Sequence, residues 1–216
     1  MTTHAAFWTK TARKYAASKV RDQAAYEKTL SRTIEHLGPQ DSVLELGCGT
    51  GSTALLLARH VRSYLATDFA SGMIAIADDK LAAERESGTS HEGLRFLVAD
   101  AFDERVRPAD GQDSGYDAVL AFNFFHLVEN PDDLLARVRD LLKPGGLYIS
   151  KTVCLKRKAW LFSPLIAVMR LFGKAPYVNM LSFQEVERMI RQAGFEIIET
   201  GTYPEPYSRF VVARKV

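Results

Sequence analysis

The stretch VLELGCGTGS, residues 43–52, constrains the fold of this chain more than any other. An apolar strand pattern runs directly into three alternating glycines, and a helical pattern, STALLLARHV, begins inside the turn. Several nucleotide-binding α/β folds place such a turn after their first strand, and they differ in glycine spacing and in the polar residues that end the later strands. The stretch therefore predicts an α/β unit whose first strand ends at a ligand.

Strand and helix patterns alternate along the rest of the chain. After SVLELG, strands are predicted at SYLATD, LRFLVAD, YDAVLAFN, LYISKTV, FEIIETGTY and SRFVVARKV. Alternation with helices predicts a Rossmann-like, doubly wound and mostly parallel sheet with helices on both faces. No helix separates the last two of the seven strands, so we expect them to pair antiparallel through PEPY.

The length of 216 residues suits one α/β domain, so we expect residues 1–216 to form a single domain. Two amphipathic helical patterns precede the first strand and predict an N-terminal helical cover. The predicted segments are the cover (1–38), a ligand-binding core (39–152), a lid or substrate-facing segment (153–181), and a C-terminal helix with a β-hairpin (182–216).

Bulk composition is ordinary, and it disfavours several classes of protein. A net charge of +2 gives no general reason to expect nucleic-acid binding. The two cysteines are far apart and match no zinc spacing, so we expect reduced thiols and no metal site. The N-terminus lacks a secretory pattern, and the apolar run at 159–169 is too short for a transmembrane segment. We therefore expect a cytoplasmic protein.

Glycine spacing and strand-end acids narrow the choice of ligand. A phosphate-binding loop needs Lys after its last glycine, whereas Ser52 follows Gly51. A dinucleotide fingerprint, G-x-G-x-x-G, needs a third glycine where this chain has Thr53 and Ala54. This spacing weakens the hypothesis of a nicotinamide-dependent oxidoreductase without excluding it. Acids at the ends of the second and third strands, Asp68 and Asp100, favour a nucleoside ligand instead.

At these motifs the chain resembles the class I S-adenosylmethionine-dependent methyltransferases. The resemblance lies in VLELGCGTG, YLATDFASGMIAIA, LRFLVADAF, the stretch from YDAVLAFN to KPGGLYIS, and AGFEIIETGTY. Within the family it is most similar to the small-molecule branch that includes ubiquinone and menaquinone biosynthesis methyltransferases. The resemblance implies S-adenosyl-L-methionine as cofactor and S-adenosyl-L-homocysteine as product.

The resemblance also implies a role for each motif residue. Glycines in the turn let the backbone approach the methionine half of the cofactor, and Glu45 orders the turn by accepting backbone N–H bonds. Asp68 holds the ribose hydroxyls, Asp100 and Ala101 contact the adenine edge, and Asn123 faces the sulfonium. The implied cofactor-binding residues are Glu45, Gly47, Cys48, Gly49, Gly51, Asp68, Phe69, Met73, Asp100, Ala101, Phe102 and Asn123.

Two residues are candidates for catalysis. His126 lies three residues after Asn123 and could act as a general base, or it could pack and fix its loop. Tyr15 lies in the helical cover, from which a tyrosine of some family members reaches the cofactor or substrate. A packing role is an equal alternative for Tyr15. Because neither residue is compelling, methyl transfer to oxygen, nitrogen or carbon stays open.

The segment 155–180 bears on the acceptor. It mixes apolar residues such as Trp160 and Leu165 with basic ones such as Lys156 and Arg170. It could be a helix that closes the domain, a lid over a hydrophobic substrate, or an interfacial helix on an anionic membrane. We expect a small, hydrophobic or lipid-like acceptor and no nucleic acid. The composition does not indicate an oligomeric state, and a non-catalytic cofactor-binding protein of this fold remains an alternative.

Overall fold

The structure, a computed structural model, describes residues 3–108, 115–171 and 175–216. Its strands are β1 (Ser42–Leu46), β2 (Ser63–Asp68), β3 (Leu94–Val98), β4 (Tyr116–Phe122), β5 (Leu142–Val153), β6 (Phe195–Thr202) and β7 (Ser208–Lys215). Its helices are α1 (Thr3–Ala16), α2 (Gln23–Ile34), α3 (Ser52–Leu57), α4 (Ser71–Glu86), α5 (Pro131–Leu141), α6 (Ala159–Leu171) and α7 (Phe183–Gln192). Short 3₁₀ turns span Ala58–His60, Phe125–Leu127 and Lys156–Lys158.

The strands form one seven-stranded sheet in the order β3-β2-β1-β4-β5-β7-β6. Neighbours from β3 through β5 pair in parallel, whereas β7 pairs antiparallel with both β5 and β6. The expected Rossmann-like, mostly parallel sheet with an antiparallel C-terminal strand is confirmed. The chain reverses its strand order between β1 and β4, and ligands of open α/β sheets bind beyond the carboxyl ends of the strands at such a point.

Apolar residues cover both faces of the sheet. On one face Leu135 of α5 and Val186 of α7 pack with buried residues of the central strands. On the other face Leu55 of α3 and Ile74 of α4 belong to a second buried cluster. Burial on both faces explains why β1 and β4 read as nearly continuous apolar runs rather than as alternating patterns.

Helix α5 begins at Pro131, in the stretch NPDDLLARVRDLLKPGG. It ends at Leu141, and β5 begins at Leu142, which pairs with Tyr116. Pro144 disfavours a helical conformation at the residue before it, and Gly145 adopts a positive φ of 75°. The Lys-Pro-Gly sequence therefore prevents the helix from continuing, and the helix ends two residues before Lys143.

The N-terminal helix lies against the start of α4. A Cβ placed on Gly72 would come within 2.8 Å of the Thr9 carbonyl oxygen, so only glycine allows this close approach. Trp8 and Ala12 pack with Met73 in a small cluster. This packing carries α1 to the carboxyl ends of β1 and β2. Within the described ranges, no helix is long and apolar enough to cross a membrane.

Candidate functional site

The glycine turn is held in a left-handed conformation at each of its three glycines. A Cβ on Gly47 would lie 2.4 Å from a ring carbon of Phe124, and one on Gly51 would lie 2.6 Å from the Phe96 ring and 2.7 Å from the Ala77 Cβ. Gly51 therefore allows α3 and the turn to pack against α4 and β3. This is a packing role in addition to any approach to a ligand.

Asp68 ties the turn to the end of β2. Its carboxylate accepts hydrogen bonds from the Gly49 N–H at 3.0 Å and from the Ala70 N–H at 2.9 Å. The side chain is buried, and burial raises its pKa, while the two N–H donors oppose that shift. Asp68 thus connects the glycine turn to the loop that follows β2. It lies at the edge of the sheet where the resemblance places the ribose.

Glu45 has a different partner from the one implied by the resemblance. Its carboxylate accepts a hydrogen bond from the Tyr64 hydroxyl at 2.8 Å, and the Gly49 N–H of the turn donates to Asp68 instead. Burial raises the pKa of Glu45 to about 7, against the opposing effect of the Tyr64 hydroxyl. The N–H of Cys48 donates to the Thr67 carbonyl, which fixes the turn independently of Glu45.

Asn123 follows β4 with a φ of 53°, the left-handed conformation that Asn tolerates better than most residues. Its N–H donates to the Lys151 carbonyl at 2.7 Å. Backbone strain of this kind persists where surrounding structure enforces it, and it clusters at binding sites. The strained residue lies between two cavities.

The smaller cavity, of about 60 Å³, lies over the first and second glycines of the turn. Its walls include Tyr15, Gly47, Gly49, Asp68, Phe69, Met73 and Asn123, with Trp8, Phe122, Phe124 and Leu127. Seven residues singled out from the sequence are therefore brought together. The ring of Phe124, which packs directly on Gly47, narrows this cavity.

The larger cavity, of about 480 Å³, lies on the other side of Tyr15 and Asn123. The intervening turn residues Cys48 and Thr50 line it, as do Ser52 and Thr53. Alternate residues of the turn thus face different cavities. Burial raises the pKa of the Cys48 thiol well above its ordinary value, so this residue serves as a neutral wall.

The two catalytic candidates have different positions. Tyr15 lines both cavities, half-exposed, and burial together with Asp68 and Glu45 raises the pKa of its phenol. His126 is buried and lines neither cavity, and burial lowers the pKa of its imidazole to about 4. At neutral pH both side chains are uncharged. Tyr15 can donate a hydrogen bond to a ligand. The His126 carbonyl accepts the Asn179 N–H at 2.7 Å, and a role for its imidazole stays a prediction.

The residues expected at the adenine edge follow β3 but line neither cavity. Asp100 is exposed and accepts the Phe102 N–H at 2.8 Å, and the Phe102 ring is 53% exposed. Ala101 is buried, and its carbonyl accepts a hydrogen bond from Arg137. Their assignment to the cofactor stays a prediction.

Several wall residues were missed by sequence reasoning. Trp8 and Phe124 reach the smaller cavity, and Lys151 and Arg21 reach the larger one. Lys151 could have been found, since it is a charged residue in the otherwise apolar strand pattern LYISKTV. Trp8 and Phe124 carried no such signal, because an aromatic residue in an amphipathic pattern is equally typical of a core.

The sheet order, the glycine turn and the carboxylate at the end of β2 define a Rossmann-like α/β protein. A family profile described as "Methyltransferase domain" matches residues 44–148, the part of the chain from β1 to β5. The part of the chain from β1 to β5 is therefore a methyltransferase domain, as the motifs indicated.

The chain is similar to several proteins of known name. The chain is 29% identical over 182 residues to a ubiquinone biosynthesis O-methyltransferase of Acinetobacter baylyi, covering 81% of this chain and 73% of that protein. It is 30% identical over 192 residues to a highly reducing polyketide synthase of Phaeosphaeria nodorum, covering 83% of this chain but only 6% of the synthase. The magnesium protoporphyrin IX methyltransferase of Synechocystis, solved with S-adenosylhomocysteine, superimposes with a TM-score of 0.69 at 18% identity, covering 98% of this chain and 94% of that one.

Proposed function

We propose that this protein transfers the methyl group of S-adenosylmethionine to a small acceptor bound beside Asn123. One observation carries the proposal. The Asp68 carboxylate, buried at the end of β2, is bonded to the glycine turn and lines the same cavity as Gly47, Phe69 and Met73. The wall of this cavity thus combines three groups that suit the cofactor. The carboxylate can accept hydrogen bonds from the ribose diol, the glycine backbone leaves space for a ligand, and the apolar side chains can pack against the purine.

The residues around the smaller cavity fit the cofactor in chemistry, but the cavity is too small to hold it. Ligand pockets commonly measure ~300–1,000 Å³, whereas the cavity over Gly47 has about 60 Å³. Phe124 and Trp8 are the large side chains in its wall. Rotation of these two side chains out of the cavity would enlarge the space over Gly47.

Methyl transfer requires mainly that the enzyme position the acceptor in line with the methyl group. S-adenosylmethionine, when bound, supplies a methyl group on a sulfonium that is already activated for displacement. The strained Asn123 and the phenol of Tyr15 stand between the two cavities and can orient the acceptor toward that methyl. Alignment of two reactants contributes ~7–11 kcal/mol at best. Neither Tyr15 nor His126 has a pKa near neutrality, which favours an acceptor that needs no strong base.

Calorimetric titration with S-adenosylhomocysteine tests the cofactor, with NAD as the competing ligand. We expect binding in the micromolar range and no displacement by NAD. Conversion of S-adenosylmethionine to S-adenosylhomocysteine over a panel of acceptors then separates an enzyme from a cofactor-binding scaffold. Binding of NAD in place of S-adenosylhomocysteine would show that the turn holds a dinucleotide instead.

We further propose that α6 brings the protein to a lipid-like acceptor at a membrane surface. Trp160 is 79% exposed, and Leu165 and Val168 are also largely exposed. Lys156, Arg157 and Lys158 lie immediately before the helix. A basic flank beside exposed Trp and Leu is typical of an interfacial helix on anionic lipid. As a lid or interfacial helix, residues 153–181 would act separately from the core that holds the cofactor.

Vesicle sedimentation tests this role of α6. We expect the protein to sediment with vesicles of phosphatidylglycerol and phosphatidylcholine, and Trp160→Glu combined with Leu165→Glu to abolish sedimentation. Affinity for S-adenosylhomocysteine should be unchanged. Val216→Glu is the matched control, because Val216 is another exposed apolar residue, outside α6. Equal sedimentation of both variants would rule out an interfacial α6.

A further inference from the structure

Basic side chains line the larger cavity, and the methyl-transfer proposal assigns them no role. Three cationic side chains line it, those of Lys19, Arg21 and Lys151, against a single carboxylate, that of Asp22. One oxygen of Asp22 already caps α2 by accepting the Ala25 N–H at 2.9 Å. The wall opposite the cofactor turn is therefore predominantly positive.

Lys151 is the most constrained of these cations. It lies near the carboxyl end of β5, paired with Phe122 of β4 and Phe210 of β7, and its carbonyl accepts the Asn123 N–H. The residue is only 8% exposed. Burial lowers the pKa of its ammonium, the Asp22 carboxylate opposes that shift, and among the described residues no side-chain hydrogen bond acts on it.

Burial disfavours the charged form of a side chain unless another charge pairs with it. Most of Lys151 is buried, and the residue lines the cavity, where a bound anion could pair with its ammonium. An anion beside Lys151 would oppose that lowering of its pKa and accept a charge-assisted hydrogen bond from its ammonium. Lys19 and Arg21, in the loop between α1 and α2, would approach the same anion from the mouth of the cavity.

We propose that the methyl acceptor carries an anionic group, a carboxylate or a phosphate, which binds Lys151 in the cavity beside Asn123. This inference rests on the proposed methyl transfer and names the chemical class of its acceptor. The anionic end of the acceptor is held at β5. The distance along the cavity from Lys151 to Asn123 then selects which atom faces the methyl group.

Matched probes test the anion directly. Protein saturated with S-adenosylhomocysteine is titrated calorimetrically with 4-hydroxybenzoate, with phenyl phosphate and with phenol, which lacks the charged group. We expect at least one anionic probe to bind about tenfold more tightly than phenol, a difference typical of a charge-assisted hydrogen bond. The preferred probe distinguishes carboxylate from phosphate.

Two variants locate the effect. Lys151→Met should remove the preference for the anionic probe while leaving affinity for S-adenosylhomocysteine within about twofold. Arg21→Gln, at an exposed position where folding is not at risk, should reduce the preference partially. Equal binding of all three probes, or no binding by any of them, would overturn the proposal. So would a loss of S-adenosylhomocysteine affinity in Lys151→Met, which would assign this cation to the cofactor's own carboxylate. Binding of S-adenosylhomocysteine by the unmodified protein is measured first, so failure of the cofactor proposal is recognised separately.

Discussion

Replacing Asp68 with alanine is expected to weaken S-adenosylhomocysteine binding by about 100-fold, equivalent to about 3 kcal/mol. The variant removes the acceptor for the Gly49 and Ala70 N–H groups, so the glycine turn loses its link to β2. It also removes the carboxylate that we assign to the ribose hydroxyls. Calorimetric titration measures the change.

Asp79→Ala is the matched control for this prediction. It removes the same charge from an exposed position on α4, outside both cavity walls, and should leave affinity unaltered. Thermal unfolding of both variants separates a local loss of binding from a loss of the fold. An affinity within about threefold of the unmodified protein in Asp68→Ala would refute the assignment of Asp68 to the cofactor.

The fold was predictable because its signals are local and repeated. Apolar strand patterns, helix boundaries and the missing helix before SRFVVARKV predicted a mostly parallel sheet whose last two strands pair antiparallel. The order of the strands came from the structure. The position of Asp68 was predictable from a local signal as well. A carboxylate at the carboxyl end of a buried parallel strand must lie at the edge where the parallel strands end.

Other parts of the site depend on contacts that are distant in sequence. Nothing in VLELGCGTGS tells that Phe124 packs on Gly47 or that Tyr64 supplies the hydrogen bond to Glu45. The register between β1 and β2 places Glu45 beside Ala66, and Tyr64 lies two residues earlier on the same face. The pairing of β1 with β2 thus determines which residue donates the hydrogen bond to Glu45, and the motif around Glu45 does not contain that information.

The basic cavity around Lys151 was not predicted from the sequence. The position of Lys151 within LYISKTV indicated a strand face, whereas the hydrophobic content of 155–180 indicated a lipid-like acceptor. The structure places the exposed apolar helix and the basic cavity in different parts of the domain. An acceptor with one apolar and one anionic end is compatible with both.

The buried Glu45 leads to the second large prediction, a pH-dependent gain in stability for Glu45→Gln. The folded-state pKa of about 7 exceeds the ordinary value of 4.5, so between these values the folded protein holds a proton that the unfolded chain has released. Stability contributed by the protonated side chain is therefore fully present below pH 4.5 and is lost as the pH rises through 7. Glutamine retains an acceptor for the Tyr64 hydroxyl and does not titrate.

Urea unfolding at about pH 5 and about pH 8 measures the effect. The free energy of unfolding of Glu45→Gln, relative to the unmodified protein, should increase by about 2 to 3 kcal/mol between the two conditions. Glu196→Gln, on the exposed side of β6, makes the same substitution without burial and should show no such increase. A pH-independent difference for Glu45→Gln would mean that Glu45 is already ionised in the folded protein at about pH 5, with the Tyr64 hydroxyl outweighing the cost of its burial.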